Sequence, residues 1–285
     1  MPVKISIVIP CYNMGNFIEE AVNSVLAFPN QEDIEIIIVN DGSNDNGYTQ
    51  GVLAGFNYPN CTIIHQENKG LGYARNTGIK NARAPFVLLL DADNKLRTDY
   101  IFKGLEIIES NEKVAVVYSD LNRFGIENGL VKVGSFDISR MLVKNYIDAC
   151  VILRKSAWES VGGYDELMPV MGYEDWDLYI RLFFKGWEFY YLPIVGFDYR
   201  VREQSMLINS NQNRSLIISY MFSKEDMKQI SNLRMALVDG LEHRDAYNRI
   251  QKRTVIKWAL KLESVLKNNK LIFNNLKGIK NSLKK

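Results

Sequence analysis

The sequence predicts an α/β sandwich on a mostly parallel central sheet, followed by a helical C-terminal extension. Three observations predict it. Short β-branched runs alternate with stretches of helical period through residues 1–100. Those runs are apolar throughout rather than at every second position, which marks strands buried on both faces, as in a parallel sheet covered by helices. From about residue 209 onward only the helical period persists.

Taken in order, residues 3–9 are apolar and β-branched and form a first strand. Residues 17–26 place Phe17, Ile18, Ala21, Val22, Val25 and Leu26 on one helical face. Residues 34–39 are a second buried strand, followed by a polar turn at 41–47 and a helix. Residues 62–65 form a short strand, 70–82 a helix and 86–90 another buried strand. Beyond Asp93 the pattern changes. Residues 114–119 read as a strand, and 123–126 with 130–133 as a hairpin around Glu127-Asn128-Gly129. Residues 151–154 and 189–199 supply further strands, with a helix at 176–184 between them. The expected organisation is an α/β domain at 1–205, split into halves at 1–95 and 96–205, with a helical extension at 206–285.

Bulk properties exclude several classes. The chain has 285 residues, 47% apolar and 24% charged, an ordinary globular balance. No apolar run approaches the roughly 20 residues that span a bilayer. The start, MPVKISIVIPCYN, lacks a basic leader and a small-residue cleavage site, so it reads as a strand and not a signal peptide. Cys11, Cys61 and Cys150 are odd in number and far apart, which suggests a reducing, cytoplasmic setting rather than a disulfide framework. With only His65 and His243 present, any metal must rest mainly on carboxylates.

In open α/β sheets, ligands sit beyond the C-terminal ends of the strands. Here those ends read Pro10-Cys11-Tyr12-Asn13, Asn40-Asp41-Gly42-Ser43 and Asp91-Ala92-Asp93. Asp41-Gly42-Ser43 reads equally as a turn with a helix cap. Asp91 and Asp93 are harder to explain structurally, because two acids at the tip of a buried strand repel. A hard divalent cation relieves that repulsion and bridges to substrate phosphates. Further on, Gly172-Tyr173-Glu174-Asp175-Trp176-Asp177 opens a helix with three acids. The helix dipole accounts for the acids in general but not for the Trp among them.

In six segments the chain resembles a family 2 glycosyltransferase of GT-A fold. They are VIPCYN (8–13), VNDGSND (39–45), NKGLGYARNTGI (68–79), LLLDADN (88–94), VGGYDE (161–166) and GYEDWDLYIRL (172–182). Six in order over nearly the first 205 residues make a specific match. The resemblance implies an inverting enzyme that moves one sugar from a nucleotide-diphosphate sugar, a UDP- or dTDP-sugar above all, to an acceptor hydroxyl in surface polysaccharide or glycoconjugate synthesis.

The resemblance also implies roles. Pro10 and Tyr12 line the nucleobase, and Asp41 accepts from N3–H of uracil or thymine, a donor that cytosine lacks. Asn68, Gly70 and Arg75 lie near base, ribose and diphosphate. Asp93 coordinates Mg²⁺ or Mn²⁺, and Asp91 contacts ribose or metal-bound water. Asp175 is the catalytic base, with Glu174 the runner-up. Glu174 and Trp176 are acceptor or sugar contacts, although Trp176 reads equally as a core residue. Asp177 reads as a helix-surface or capping group. Loops around Asp120, Asp148 and Gly172 set sugar specificity.

There are departures from the family pattern. Relatives carry a histidine metal ligand in a Tyr-Arg-x-His segment, where this chain has Tyr199-Arg200-Val201-Arg202. Water and phosphate could complete the sphere, Glu203 could substitute, or Arg202 could grip phosphate itself. No Gln-x-x-Arg-Trp motif is present, which argues for single additions rather than processive synthesis. Residues 252–285 carry a net +9, leaving 1–251 at −7. Their apolar stripe (Val255, Trp258, Ala259, Leu262, Val265 and Leu266) describes either a helix on the inner face of an anionic membrane or one packed on protein, its own domain or a second subunit. The expected partners are the donor and a glycan, lipid-linked or protein acceptor, not nucleic acid. Two alternatives stand: a non-catalytic sugar-nucleotide-binding or scaffold protein, and a sugar nucleotidyltransferase, although no Gly-rich triphosphate loop follows the first strand.

Overall fold

In the computed structural model, residues 3–203 and 210–252 are described. The expected α/β architecture is present. Strands β1 (Ile5–Cys11), β2 (Ile34–Asp41), β3 (Cys61–Gln66) and β4 (Phe86–Leu89) alternate with helices α1 (Ile18–Leu26), α2 (Tyr48–Ala54) and α3 (Leu71–Asn81). β1 pairs in parallel with both β2 and β4, and β2 with β3. Every residue of β1, β2 and β4 is buried, as uniformly apolar strands require.

Both faces are covered. Ile5, Ile7 and Ile9 point into a core shared with Ile18, Ala21, Val22 and Val25 of α1. Val8 points the other way, onto α3. A Cβ on Gly78 would stand 2.3 Å from Val8 Cγ1, so only glycine lets this helix lie so close to β1.

The second half extends the sheet. β5 (Lys95–Leu96) and α4 (Thr98–Ser110) lead into the long β6 (Val114–Gly125), which turns into β7 (Gly129–Val131) as the expected hairpin. Then follow α5 (Ile138–Val143), β8 (Ile152–Arg154), α6 (Lys155–Ser160), α7 (Glu174–Phe184) and β9 (Glu188–Val201). The sheet order is β3-β2-β1-β4-β8-β6-β9-β5. β8 runs antiparallel to its neighbours β4 and β6, whereas β6 and β9 are parallel. The sheet is therefore mixed in its second half.

Helix α4 is a finding the strand pattern did not suggest. Its Tyr100, Ile101, Leu105 and Ile108 join the same core, and Tyr100 donates its hydroxyl to the Val117 carbonyl at 2.7 Å. The first compact unit runs to Ser231 and includes α8 (Arg214–Ser223), whose Ile217, Met221 and Phe222 are buried. The second unit begins within α9 (Lys228–Lys252). The basic stretch from 253 onward lies outside the described residues. Among the described residues no helix is long and apolar enough to cross a membrane. Cys11, Cys61 and Cys150 are free thiols.

Candidate active site

The ends of β1, β2 and β4 open on one rim. With the 145–150 loop, the start of α7 and the end of β9 they enclose a cavity of about 560 Å³. Pro10, Tyr12, Asp41, Asn68, Gly70, Arg75, Asp91, Asp93, Glu174, Asp175 and Arg202 all line it. Residues scattered over the chain therefore share one volume, as the strand-end argument requires.

At one end, two loops are tied side to side. Asn13 Nδ2 donates to Asn44 Oδ1 at 2.8 Å, and Asn44 N donates back to Asn13 Oδ1 at 2.8 Å. The Tyr12 hydroxyl donates to the same Asn44 oxygen, which holds the exposed Tyr12 ring at the mouth. Gly42 has φ +67°, and a Cβ there would meet the Asn68 nitrogen at 2.5 Å, so the turn after β2 and the 68–70 segment touch backbone to backbone. Asp41 organises that contact. Its Oδ1 accepts from Gln66 Nε2 and Lys69 N, and its Oδ2 accepts from Gly70 N at 2.9 Å. Oδ2 keeps a second lone pair for a ligand donor.

The centre of the cavity interleaves carboxylates and guanidinium groups. Arg75 is buried, with Nη2 2.9 Å from Asp91 Oδ1 and Nη1 2.6 Å from Glu174 Oε1. Glu174, 2% exposed, also accepts from Gly172 N. Arg75, expected near the diphosphate, and Glu174, expected at the acceptor or sugar, both line the cavity and are ion-paired with each other. Arg75 joins α3, the tip of β4 and α7 into one piece. Asp93 is paired with Arg202, Nε to Oδ2 at 2.8 Å. Burial and the neighbouring Asp91 raise the Asp93 carboxyl above its ordinary range, against the pull of Arg202.

These pairings leave Asp91 Oδ2 and Asp93 Oδ1 for a ligand. Among the described residues no group of three His, Cys, Asp or Glu side chains gathers as a metal site. The donor set therefore fits an ion that takes one or two carboxylate oxygens and fills its shell from water and substrate phosphate, as Mg²⁺ does. It does not fit an all-protein cage.

Asp175 opens α7 and is buried. Its Oδ1 accepts from Trp176 N at 2.7 Å and its Oδ2 from Asn145 Nδ2 at 2.9 Å. Burial, and then the adjacent Glu174, push its carboxyl up to about 8. Asp148, also on the wall, is pushed up to about 7 by burial and by Asp91. The Asp148 carboxylate adds to the rise of Asp175.

Two side chains of α7 are enclosed by protein, and for Trp176 this is the core reading of the two that the sequence allows. Trp176 is 1% exposed, and its indole N–H donates to the Met141 carbonyl at 2.6 Å, so it is a core side chain and offers no face to a sugar. Asp177 is fully buried between Arg181 and Lys224, at 2.8 and 2.7 Å, and is neither surface nor cap. The sequence marks Asp148 only as part of a specificity loop, and Asn145, which holds Asp175, carries no signal there. Asp148 was findable. It precedes β8, and because β8 is antiparallel its start lies on the same rim as the ends of the parallel strands.

Comparison with known proteins converges on one group. The sequence model described as glycosyl transferase family 2 matches residues 6–157, and one described as the N-terminal domain of galactosyltransferase matches 139–204. An uncharacterised glycosyltransferase of Rickettsia conorii is 30% identical over 191 residues, 63% of this chain and 31% of the relative. The chain thus spans about a third of that relative's length. An uncharacterised glycosyltransferase of Rickettsia prowazekii is 27% identical over 84% of this chain and 76% of its own. Among solved structures, S. aureus TarS 1–349 in complex with UDP-GlcNAc superposes with a TM-score of 0.60 at 20% identity, covering 83% of this chain and 66% of TarS. That likeness supports the shared fold.

Proposed function

The chain belongs to glycosyl transferase family 2, and from that premise we propose that it transfers a single sugar, with inversion, from a UDP- or dTDP-sugar to an acceptor hydroxyl. The observation that carries this reading is that Asp41, Asp91, Asp93 and Asp175 line one cavity. Each carboxylate has a distinct task along a nucleotide-sugar. The TarS complex with UDP-GlcNAc supports a nucleotide-sugar as donor.

Asp41 would use the open lone pair of Oδ2 to accept N3–H of the base, with the Tyr12 ring beside it. Asp91 and Asp93 would hold Mg²⁺ or Mn²⁺ through their open oxygens, together with the diphosphate. Such an ion, when bound, supplies neutralisation of the charge that develops on the leaving nucleotide. Asp175 would remove the proton of the acceptor hydroxyl as its oxygen attacks the anomeric carbon. One base on the face opposite the leaving group gives a single displacement and inversion. A carboxyl held near 8 suits that task, because a base works best when its pKa lies near the operating pH. Asn145 and the Trp176 amide fix its orientation.

We place the reaction in surface polysaccharide or glycoconjugate synthesis in the cytoplasm, with a glycan, lipid-linked sugar or protein as acceptor. The test is nucleotide release from a panel of nucleotide-sugars with Mn²⁺ or Mg²⁺. Release from at least one donor, with nucleotide affinity weakened in Asp93→Ala, supports the enzyme. Absence of turnover with every donor, together with unchanged affinity in Asp93→Ala, leaves a binding protein.

A further inference from the structure

Arg202 lies just past the end of β9 with Nε on Asp93 Oδ2 at 2.8 Å. Arg200, two residues earlier, donates from Nε to the Asp93 backbone carbonyl at 3.0 Å. Both guanidinium groups sit over the Phe17 ring, 5.3 Å and 4.8 Å from its centroid, and both line the cavity. A carboxylate suited to a divalent cation is thus capped by a guanidinium cation.

Two arginines engage the acidic pair, but only one is free to leave. Arg75 is 2% exposed and locked by a second carboxylate, Glu174. Arg202 is 29% exposed at its side chain, and among the described residues Asp93 is its only ion-pair partner. A guanidinium has five N–H donors, and its fork matches phosphate oxygens as well as it matches carboxylate. Any divalent ion approaching Asp93 alone must displace Arg202 or tolerate its charge at close range.

We propose that Arg202 is a charge-exchange residue: it holds Asp93 while the cavity lacks nucleotide, and it moves to a phosphate oxygen when a nucleoside diphosphate enters, releasing Asp93 Oδ2. This rests on the nucleotide reading of the cavity given above. Two consequences follow. The diphosphate binds by way of Arg202 even without metal. The nucleotide-free protein binds divalent ions poorly, because Arg202 competes for Asp93. Nucleotide and metal then promote each other, and linkage makes that promotion equal in both directions.

The experiment is calorimetric titration of the intact protein and its Arg202→Gln variant, first with UDP in EDTA and then with MnCl₂ in the absence of nucleotide. UDP affinity in EDTA is expected to fall about tenfold or more in the variant, the loss of one hydrogen bond to a charged group. Nucleotide-free Mn²⁺ affinity is expected to rise by about tenfold, because a cation has left its neighbourhood. Arg202→Lys keeps the charge without the planar fork and falls between the two, and thermal unfolding of all three proteins checks that each is folded. If UDP binds the parent and Arg202→Gln equally in EDTA, or if Mn²⁺ affinity does not rise, charge exchange is wrong while the nucleotide reading stands. If both affinities fall together, Arg202 is only a structural support and the proposal is overturned. If UDP fails to bind the parent under any condition, the nucleotide reading fails and this inference fails with it.

Discussion

Among single residues, Asp175 carries the proposed chemistry. Its raised carboxyl is an acid whose folded-state pKa lies above the unfolded one, so the folded protein holds the proton more tightly. Its contribution to stability is full at low pH and is lost as pH rises toward about 8. Asp175→Asn has no carboxyl to ionise. Its stability relative to the parent should therefore improve steadily between about pH 5 and pH 8 in chemical denaturation series. The same substitution should lower sugar transfer by about 10²–10⁴-fold with nucleotide affinity retained. Transfer by the parent should rise with pH through about 8, because only the ionised carboxylate can take the acceptor proton. Trp176 makes the opposite case. Trp176→Phe removes the hydrogen bond to the Met141 carbonyl. It should cost about 1–3 kcal/mol in urea denaturation, since a buried acceptor is left unpaired, while the donor KM stays unchanged. A large rise in KM would restore Trp176 to the sugar site.

At the scale of elements, Arg75 explains how three distant segments hold one geometry. It ties α3 to the tip of β4 and to the start of α7. Arg75→Ala leaves Glu174 buried without its cation and should cost about 3–5 kcal/mol in equilibrium unfolding. Arg75→Lys should recover only part of that, because an ammonium cannot span two carboxylates as a planar fork does. The four parallel strands were legible because β-branched runs apolar throughout leave few other interpretations. That Asp41, Asp91 and Asp93 share one cavity wall was legible because the C-terminal ends of parallel strands lie on one rim. Helix α4 carries the helical period in Tyr100, Ile101, Leu105 and Ile108. Trp176 was ambiguous in principle, since α7 is buried on nearly every side and its period separates no wet face from a dry one. The pairing of Lys224 with Asp165 and Asp177 depends on tertiary proximity between residues about fifty apart, and no local pattern encodes it.

Across the whole molecule, the fold brings four carboxylates, Asp41, Asp91, Asp93 and Asp175, to the wall of one cavity. The portion 1–251 is net acidic, yet three arginines stand among the carboxylates of that wall, and under the proposed function these are the groups that would face a diphosphate. The base station gives a specificity prediction. Asp41→Ala removes the acceptor for N3–H and the anchor of the 68–70 segment, so it should weaken UDP binding by about tenfold or more in competition titrations. CDP affinity, which gains nothing from that acceptor, should fall less. Nucleotide release from UDP- and dTDP-sugars, measured side by side for the parent and Asp175→Asn, decides whether Asp175 is the base. The parent should release nucleotide from at least one donor, the variant should do so about 10²–10⁴-fold more slowly, and nucleotide affinity should agree within a few-fold between them. Release by Asp175→Asn at the parental rate would contradict that role.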